Sequence, residues 1–303
     1  MGDLPQQRKR RSLKRLLIEA LDRPGGRSML AVVSTYLARR SDPTSRIFFD
    51  EVWHHRSGKY VFADDRRYRY YPSDFERWQS EVELMFQRTS DYFFHLYKPK
   101  SGDVVIDVGA GRGEDVLLFS ELVGLKGRVI AIEADPNSYD SLVRLCRQNN
   151  LSNVTPLNLA VVDCAQKVSI EVGNGADSGA WYEHSILEPS GTAQTVQVDG
   201  KTLDLICEEE QVRHIDFLKM NIEGAEKLAV LGMSRTLAST THVCICCHDF
   251  RADRGHGEWF RSREQVIPVL RAADFELALR ESDPRDFVRD GVHGRRRKAN
   301  AGA

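Results

Sequence analysis

Val104-Val-Ile-Asp107-Val-Gly109-Ala-Gly111-Arg-Gly113-Glu114 decides the fold of this 303-residue chain. The opening apolar run reads as a buried strand, and residues 114–123 after the glycines read as a helix. Glycines between them let the backbone turn sharply and let a ligand approach closely. Asp107 stands at the carboxyl edge of the strand. The next apolar run, Val129-Ile-Ala-Ile132, ends in a second acid, Glu133. An acid there can accept both hydroxyls of a ribose. A glycine turn alone occurs in many folds. A strand, an acid, a glycine loop, a helix and a second acid closing the next strand together predict a nucleoside-type cofactor site.

Outward from this motif, short apolar runs alternate with helical stretches. Strands are expected at 104–106, 129–132, 153–162, 215–220, 243–247 and 275–279, the last one ending the sheet. Helices are expected at 114–123, 137–149, 203–210, 224–231 and 263–272. Near-continuous apolar strands separated by helices mean a mostly parallel sheet covered on both faces, a doubly wound α/β fold. Lys167 to Val172 and Gln194 to Val198 alternate differently and predict an inserted β-hairpin, whose loop holds Trp181 and Tyr182. Before the sheet, residues 12–21, 28–40 and 74–97 have helical spacing, and 46–71 suit a hairpin around Ser57-Gly58. The expected domains are an N-terminal extension over 1–100, a cofactor-binding domain over 101–282 and a basic flexible tail over 283–303.

The chemistry of the loop selects the cofactor. A pyrophosphate needs bare helix-terminal N–H groups. Asp107 and Glu114 place negative charge there, which repels phosphate and suits a cation. S-adenosyl-L-methionine carries a sulfonium, an ammonium and a ribose but no phosphate, so the residues favour a methyl donor over a nicotinamide dinucleotide.

The chain resembles the FkbM-type methyltransferases, a branch of the class I S-adenosylmethionine-dependent enzymes. The matching segments are Val104 to Gly113, Ala131-Ile-Glu-Ala-Asp-Pro-Asn137, Asn158-Leu-Ala-Val-Val-Asp163, Thr202-Leu-Asp204 and Ile215-Asp-Phe-Leu-Lys-Met-Asn-Ile-Glu-Gly-Ala-Glu226, in the family's order. The resemblance covers about 100–280. It implies a seven-stranded Rossmann-like methyltransferase sheet with an antiparallel final strand. The implied reaction is O-methylation of a hydroxyl on a sugar, glycan, glycolipid or natural product. By position, Asp107, Gly109, Ala110, Gly111, Gly113, Glu133 and Ala134 would hold the donor, with Asp163 near the adenine. Asn221 stands where the family signature has Asp, and Cys246 where it has an acid two residues before the histidine. An amide cannot serve as a base, but it can hydrogen-bond the donor or the acceptor hydroxyl.

In open α/β sheets ligands bind beyond the carboxyl ends of the strands. Lys219, Asn221, Glu223 and His248 fall there. His248 is the candidate base, because its intrinsic pKa lies near neutrality; a structural histidine is the alternative. Lys219 would position or deprotonate the acceptor, or else pair with Glu223 or Glu226. Glu223, Trp181 and Tyr182 are candidate acceptor contacts, since aromatic faces stack on sugar rings. No metal is expected. Asn221 with Asp249 would make a thin ligand set for an oxygen-loving ion.

The formal net charge is −1, from 43 Lys and Arg against 44 Asp and Glu. Residues 1–40 hold +7 and Arg295 to Lys298 hold +4, which leaves −12 for the body. That body suits a cationic donor. The basic segment 8–21 invites peripheral contact with an anionic membrane, nucleic-acid contact, or neither. Nucleic acid is disfavoured, because no RNA-binding module is present and Asn221 is not followed by the Pro-Pro-Tyr of base methylases. A binding protein that has lost its chemistry is the third reading. No apolar run reaches the length of a membrane span, no secretory signal opens the chain, and six unpaired-looking cysteines suit a reducing compartment. The expected setting is therefore cytoplasmic.

Overall fold

The computed structural model describes residues 26–41, 43, 47–51, 61–64, 68–70, 82–172 and 194–297. It divides into two compact units, Met1–Glu81 and Val82–Ala303. In the first, helix α1 (Gly26–Ser41) precedes three short strands, β1 (Ile47–Glu51), β2 (Val61–Asp64) and β3 (Arg69–Tyr70). These pair antiparallel in the order β1-β2-β3, which extends the expected hairpin by one strand. The expected helix over 12–21 lies outside the described residues.

The second unit starts earlier than the sequence suggested. Helix α2 (Val82–Phe93), expected in the extension, packs Phe93 into the same core cluster as the central sheet. It is followed by β4 (Val104–Val108), α3 (Glu114–Val123), β5 (Arg128–Ile132), α4 (Pro136–Gln148), β6 (Val154–Leu157), β7 (Ala160–Val161), β8 (Gln166–Val172) and β9 (Gln194–Lys201). Then come α5 (Leu203–Glu209), β10 (Ile215–Met220), α6 (Glu226–Ala229), α7 (Ser234–Ala238), β11 (Thr240–Cys246), α8 (Asp249–Asp253), α9 (Arg263–Ala272), β12 (Phe275–Leu279), α10 (Asp286–Arg289) and β13 (Gly291–Arg296).

Seven strands form one sheet in the order β12-β13-β11-β10-β4-β5-β6. β11, β10, β4, β5 and β6 run parallel, and β13 lies antiparallel between β11 and β12. Successive side chains alternate between the two faces. Ile106, Ile130, Leu218 and Val243 pack on one side with Leu203, Ile206, Met233 and Leu270. Val105, Val129, Phe217 and Cys244 pack on the other with Phe93, Phe119 and Leu142. Burial on both faces explains why these strands read as unbroken apolar runs. The expected hairpin is present as β8 and β9, paired antiparallel, with β7 alongside β9 in a separate three-stranded sheet. The single strand region expected at 153–162 is therefore two strands in two sheets.

The tail expected from residue 283 is corrected by β13. Its Gly291 to Gly294 are buried, and its two glycines and basic end hide it from a search for apolar runs. Gly294 has to be small, because a Cβ there would stand 2.9 Å from Val243 Cγ2. Arg296 Nη1 donates to Leu237 O at 2.7 Å, so the basic residues anchor the strand. All six cysteines are free; Cys164 is exposed, and Cys146, Cys207, Cys244 and Cys247 are buried.

Candidate active site

The glycine loop is fixed at both ends. Gly109 N and Ala110 N donate to Ile132 O at 2.9 and 3.0 Å, tying the loop to the end of β5. Glu133 Oε2 accepts Gly111 N at 2.7 Å, and its Oε1 accepts Asp135 N at 2.8 Å. Asn158 Nδ2 donates to Glu133 O and Ala134 O, holding that turn from β6. Gly109 adopts φ +78°, and a Cβ there would stand 2.0 Å from Asn221 O. Gly111 adopts φ +56° and faces open space. Gly113, at φ +95°, abuts Leu142 and starts α3. The three glycines thus serve a close approach, an open cradle and a helix entry.

Register brings Lys219 of β10 beside Asp107 of β4. Both side chains are fully buried, and Lys219 Nζ lies 2.8 Å from Asp107 Oδ1. The same Nζ donates to Gly109 O at 2.9 Å and stands 3.7 Å from Asp115 Oδ2. Burial acts to lower the Lys219 pKa, but the Asp107 and Asp115 carboxylates outweigh it and hold the ammonium protonated. Burial pushes Asp107 up to about 7 against the pull of Lys219. Lys219 is therefore no base, and its partner is neither Glu223 nor Glu226. It clamps the loop.

Two buried acceptors beside this clamp have no hydrogen-bond partner, Asp107 Oδ2 and Asn221 Oδ1. Asn221 N donates to Val108 O at 2.9 Å, so its side chain starts next to Gly109. Unpaired buried acceptors are costly and mark a place for a donor. The ammonium of S-adenosylmethionine fits that pair, and the open face of Gly111 fits a close-lying ligand.

A second cluster sits at the ends of β10 and β11. His248 is 5% exposed. Its Nε2 lies 3.4 Å from Glu223 Oε1, and its Nδ1 lies 3.1 Å from Glu226 Oε1. Glu226 also accepts Ile222 N and Gly224 N at 2.9 and 2.8 Å, which shapes the turn after Asn221. Burial would lower the His248 pKa, yet the two carboxylates raise it well above its ordinary value. His248 thus has a carboxylate near each ring nitrogen, a setting that favours its charged form over the neutral imidazole a base requires. Arg251 Nη1 binds Glu223 Oε2 at 2.7 Å. Burial would raise the Glu223 pKa, but His248 and Arg251 bring it below the usual carboxylate value. Glu223 holds a left-handed φ of +56°, rare for a residue with a side chain. Gly224 follows because a Cβ there would meet Trp259 Nε1 at 3.0 Å.

Arg251 and Glu226 complete this network and were not singled out as site residues. Their spacing is the missed signal: Glu226 follows Glu223 by three residues, and Arg251 follows His248 by three. Asp249 Oδ2 accepts Ser262 N and Arg263 N, which caps the start of α9. Among the described residues, no group of three or more His, Cys, Asp or Glu could hold a metal ion. Asp163 is exposed, with Gln166 Nε2 3.5 Å away, and among the described residues no hydrogen bond ties it to the glycine loop. Trp181 and Tyr182 lie outside the described residues.

Residues 107–277 match the methyltransferase FkbM domain. The chain belongs to the FkbM methyltransferase family. The FkbM match begins at Asp107 itself. A curated relative, the 2-O-methyltransferase NoeI of Sinorhizobium fredii (strain NBRC 101917 / NGR234), is 27% identical over 157 residues. That alignment covers 48% of this chain and 63% of NoeI. Among solved structures, methyltransferase FkbM from Methylobacillus flagellatus KT is 19% identical with a TM-score of 0.48. It covers 71% of this chain and 50% of that one. A SAM-dependent methyltransferase from Aquifex aeolicus is 15% identical with a TM-score of 0.40, over 71% of this chain and 98% of its own. Within the FkbM domain, the glycine loop, Glu133 and Asn221 lie together at the carboxyl ends of β4, β5 and β10, and Glu223 with His248 and Arg251 stands at the ends of β10 and β11.

Proposed function

We propose that this enzyme methylates a hydroxyl of a sugar, carried on a glycan, a glycolipid or a sugar-bearing natural product. Similarity to a 2-O-methyltransferase supports an oxygen acceptor. The observation that carries the reading is Glu223. It sits in a left-handed turn two residues past Asn221 and is held by His248 and Arg251. Its side chain keeps about a fifth of its surface open, more than His248 or Arg251.

S-adenosylmethionine supplies an electrophilic methyl on a sulfonium. The chain's residues have to place the acceptor oxygen and receive its proton. An alcohol is a weak acid, but its proton becomes strongly acidic as the oxygen is alkylated. A carboxylate of low pKa is then base enough. Glu223 Oε1 takes the proton, and the charged His248 and Arg251 keep Glu223 ionised and aimed. Asn221 Oδ1 orients the donor or the acceptor hydroxyl, and Asp107 attracts the donor's positive end.

The test is transfer of labelled methyl from S-adenosylmethionine to oligosaccharides, lipid-linked glycans and RNA in parallel. Label is expected in a sugar ether. Glu223→Gln is expected to lower kcat by about 10²–10⁴-fold, the range of a lost general base, with donor affinity unchanged. Label found in RNA and absent from every sugar would overturn the reading.

A further inference from the structure

Helix α1 is apolar on two faces. Leu30, Ala31, Ser34 and Ala38 are buried. The opposite side exposes Met29, Val32, Val33, Tyr36 and Leu37, with Val32 at 70% and Tyr36 at 61%. Their positions run i, i+3, i+4, i+7, i+8, which is one continuous stripe on a helix. Single exposed apolar side chains are ordinary, but a clustered stripe marks an interaction surface.

The charge beside this stripe has one sign. From Arg23 through Ser41 the sequence contains Arg23, Arg27, Arg39 and Arg40 and no acidic residue. Arg39 and Arg40 are exposed, and Arg40 Nη1 donates to Tyr36 Oη at 3.3 Å, at the end of the stripe. Upstream, Leu13, Leu16, Leu17, Ala20 and Leu21 repeat the apolar spacing among Lys14, Arg15 and the Arg8 to Arg11 run. Residues 1–40 hold +7 while the body carries the opposite sign. A protein partner would match such a stripe with its own shape. An exposed apolar stripe with arginines at its margin instead matches a lipid interface, where arginine stems lie along the acyl boundary and their heads reach the phosphates. No helix among the described residues is long and apolar enough to cross a membrane, so the helix would lie on the surface.

We propose that the α1 face docks this enzyme on an anionic bilayer, with Met29, Val32, Val33, Tyr36 and Leu37 entering the interface and Arg39 and Arg40 on the lipid phosphates. The bilayer brings the enzyme to acceptors held at that surface.

The test is co-sedimentation of the full chain with phosphatidylcholine vesicles, with and without phosphatidylglycerol. Wild type is expected to bind the anionic vesicles about thirtyfold more tightly or better, with binding that weakens as salt rises. Val32→Glu with Tyr36→Glu is expected to remove binding to both vesicle types while melting temperature and donor affinity stay at wild type. Arg39→Gln with Arg40→Gln, at two exposed positions, is expected to reduce the anionic preference by about thirtyfold. Equal binding to both vesicle types, or unchanged binding by the two pairs of variants, would overturn the proposal. So would a wild-type dimer that Val32→Glu with Tyr36→Glu makes monomeric, since a second copy would then cover the face. Vesicle binding that increases when residues 1–25 are deleted would likewise overturn it, because those residues would be the cover.

Discussion

Lys219 Nζ and Asp107 Oδ1 lie 2.8 Å apart across neighbouring parallel strands, with neither side chain open to water. The pair fixes the carbonyl of Gly109 and leaves Asp107 Oδ2 without a hydrogen-bond partner. Removing one partner of a buried pair leaves an uncompensated charge and costs about 3–5 kcal/mol. Lys219→Met is expected to lose that much stability near pH 8, measured by urea unfolding. The loss has a sign in pH. Without Lys219 the buried Asp107 binds protons more readily folded than unfolded, so stability recovers as pH falls. Donor affinity moves oppositely, because a protonated Asp107 no longer attracts the donor's ammonium. A loss of turnover in Lys219→Met with stability and donor affinity intact would instead restore Lys219 as the base.

His248 gives the wild type a pH dependence of its own. Its folded pKa is raised above the ordinary 6.5 because Glu226 and Glu223 overcome the cost of burial. Its stabilising contribution is complete below pH 6.5 and is lost as pH rises through the folded value. Urea unfolding from neutral pH upward is expected to show a decline that His248→Gln abolishes. That variant is less stable at pH 6.5, where Glu223 and Glu226 have lost their shared cation. A variant with the same slope as wild type would show that His248 is neutral in the folded state.

The glycine loop, its flanking strands and Glu133 were legible in the sequence because each is a local pattern. Alternating runs and glycine spacing do not depend on distant residues. Partners were not legible. Sequence proximity offered Glu223 or Glu226 to Lys219, whereas strand register delivered Asp107, more than a hundred residues away. His248 read as a base from its intrinsic pKa, and only the fold shows a carboxylate on each side of it. β13 escaped because a strand squeezed between two others can be built from Gly291, Val292, His293 and Gly294 without an apolar run.

Asn221 offers a further measurement. Its Oδ1 is buried without a partner, at the position where the family signature carries Asp. A hydrogen bond to a charged group is worth about 1.5–3 kcal/mol, so Asn221→Ala is expected to weaken donor binding by about 10–150-fold in calorimetry. Asn221→Asp keeps the acceptor oxygen and adds negative charge toward a cationic ligand, so its donor affinity is expected to match or exceed wild type. Donor affinity unchanged in Asn221→Ala would move this residue to the acceptor side.

Gly109 and Gly111 separate folding from binding within one loop. Both have left-handed φ values, which cost an L residue about 1–2 kcal/mol. At Gly109 a Cβ would also stand 2.0 Å from the backbone oxygen of Asn221, and backbone cannot yield as a side-chain tip can. Gly109→Ala is expected to cost about 3 kcal/mol or more and to part β4 from β10 at their carboxyl ends. At Gly111 nothing lies within 4 Å of the added carbon, so Gly111→Ala carries the conformational cost alone. Its methyl instead enters the open side of the loop, where the donor approaches, and donor affinity is expected to fall about tenfold or more. Thermal unfolding and calorimetry on the two variants give opposite rankings if the open face is the donor cradle. Gly111→Ala with wild-type donor affinity would place the donor elsewhere.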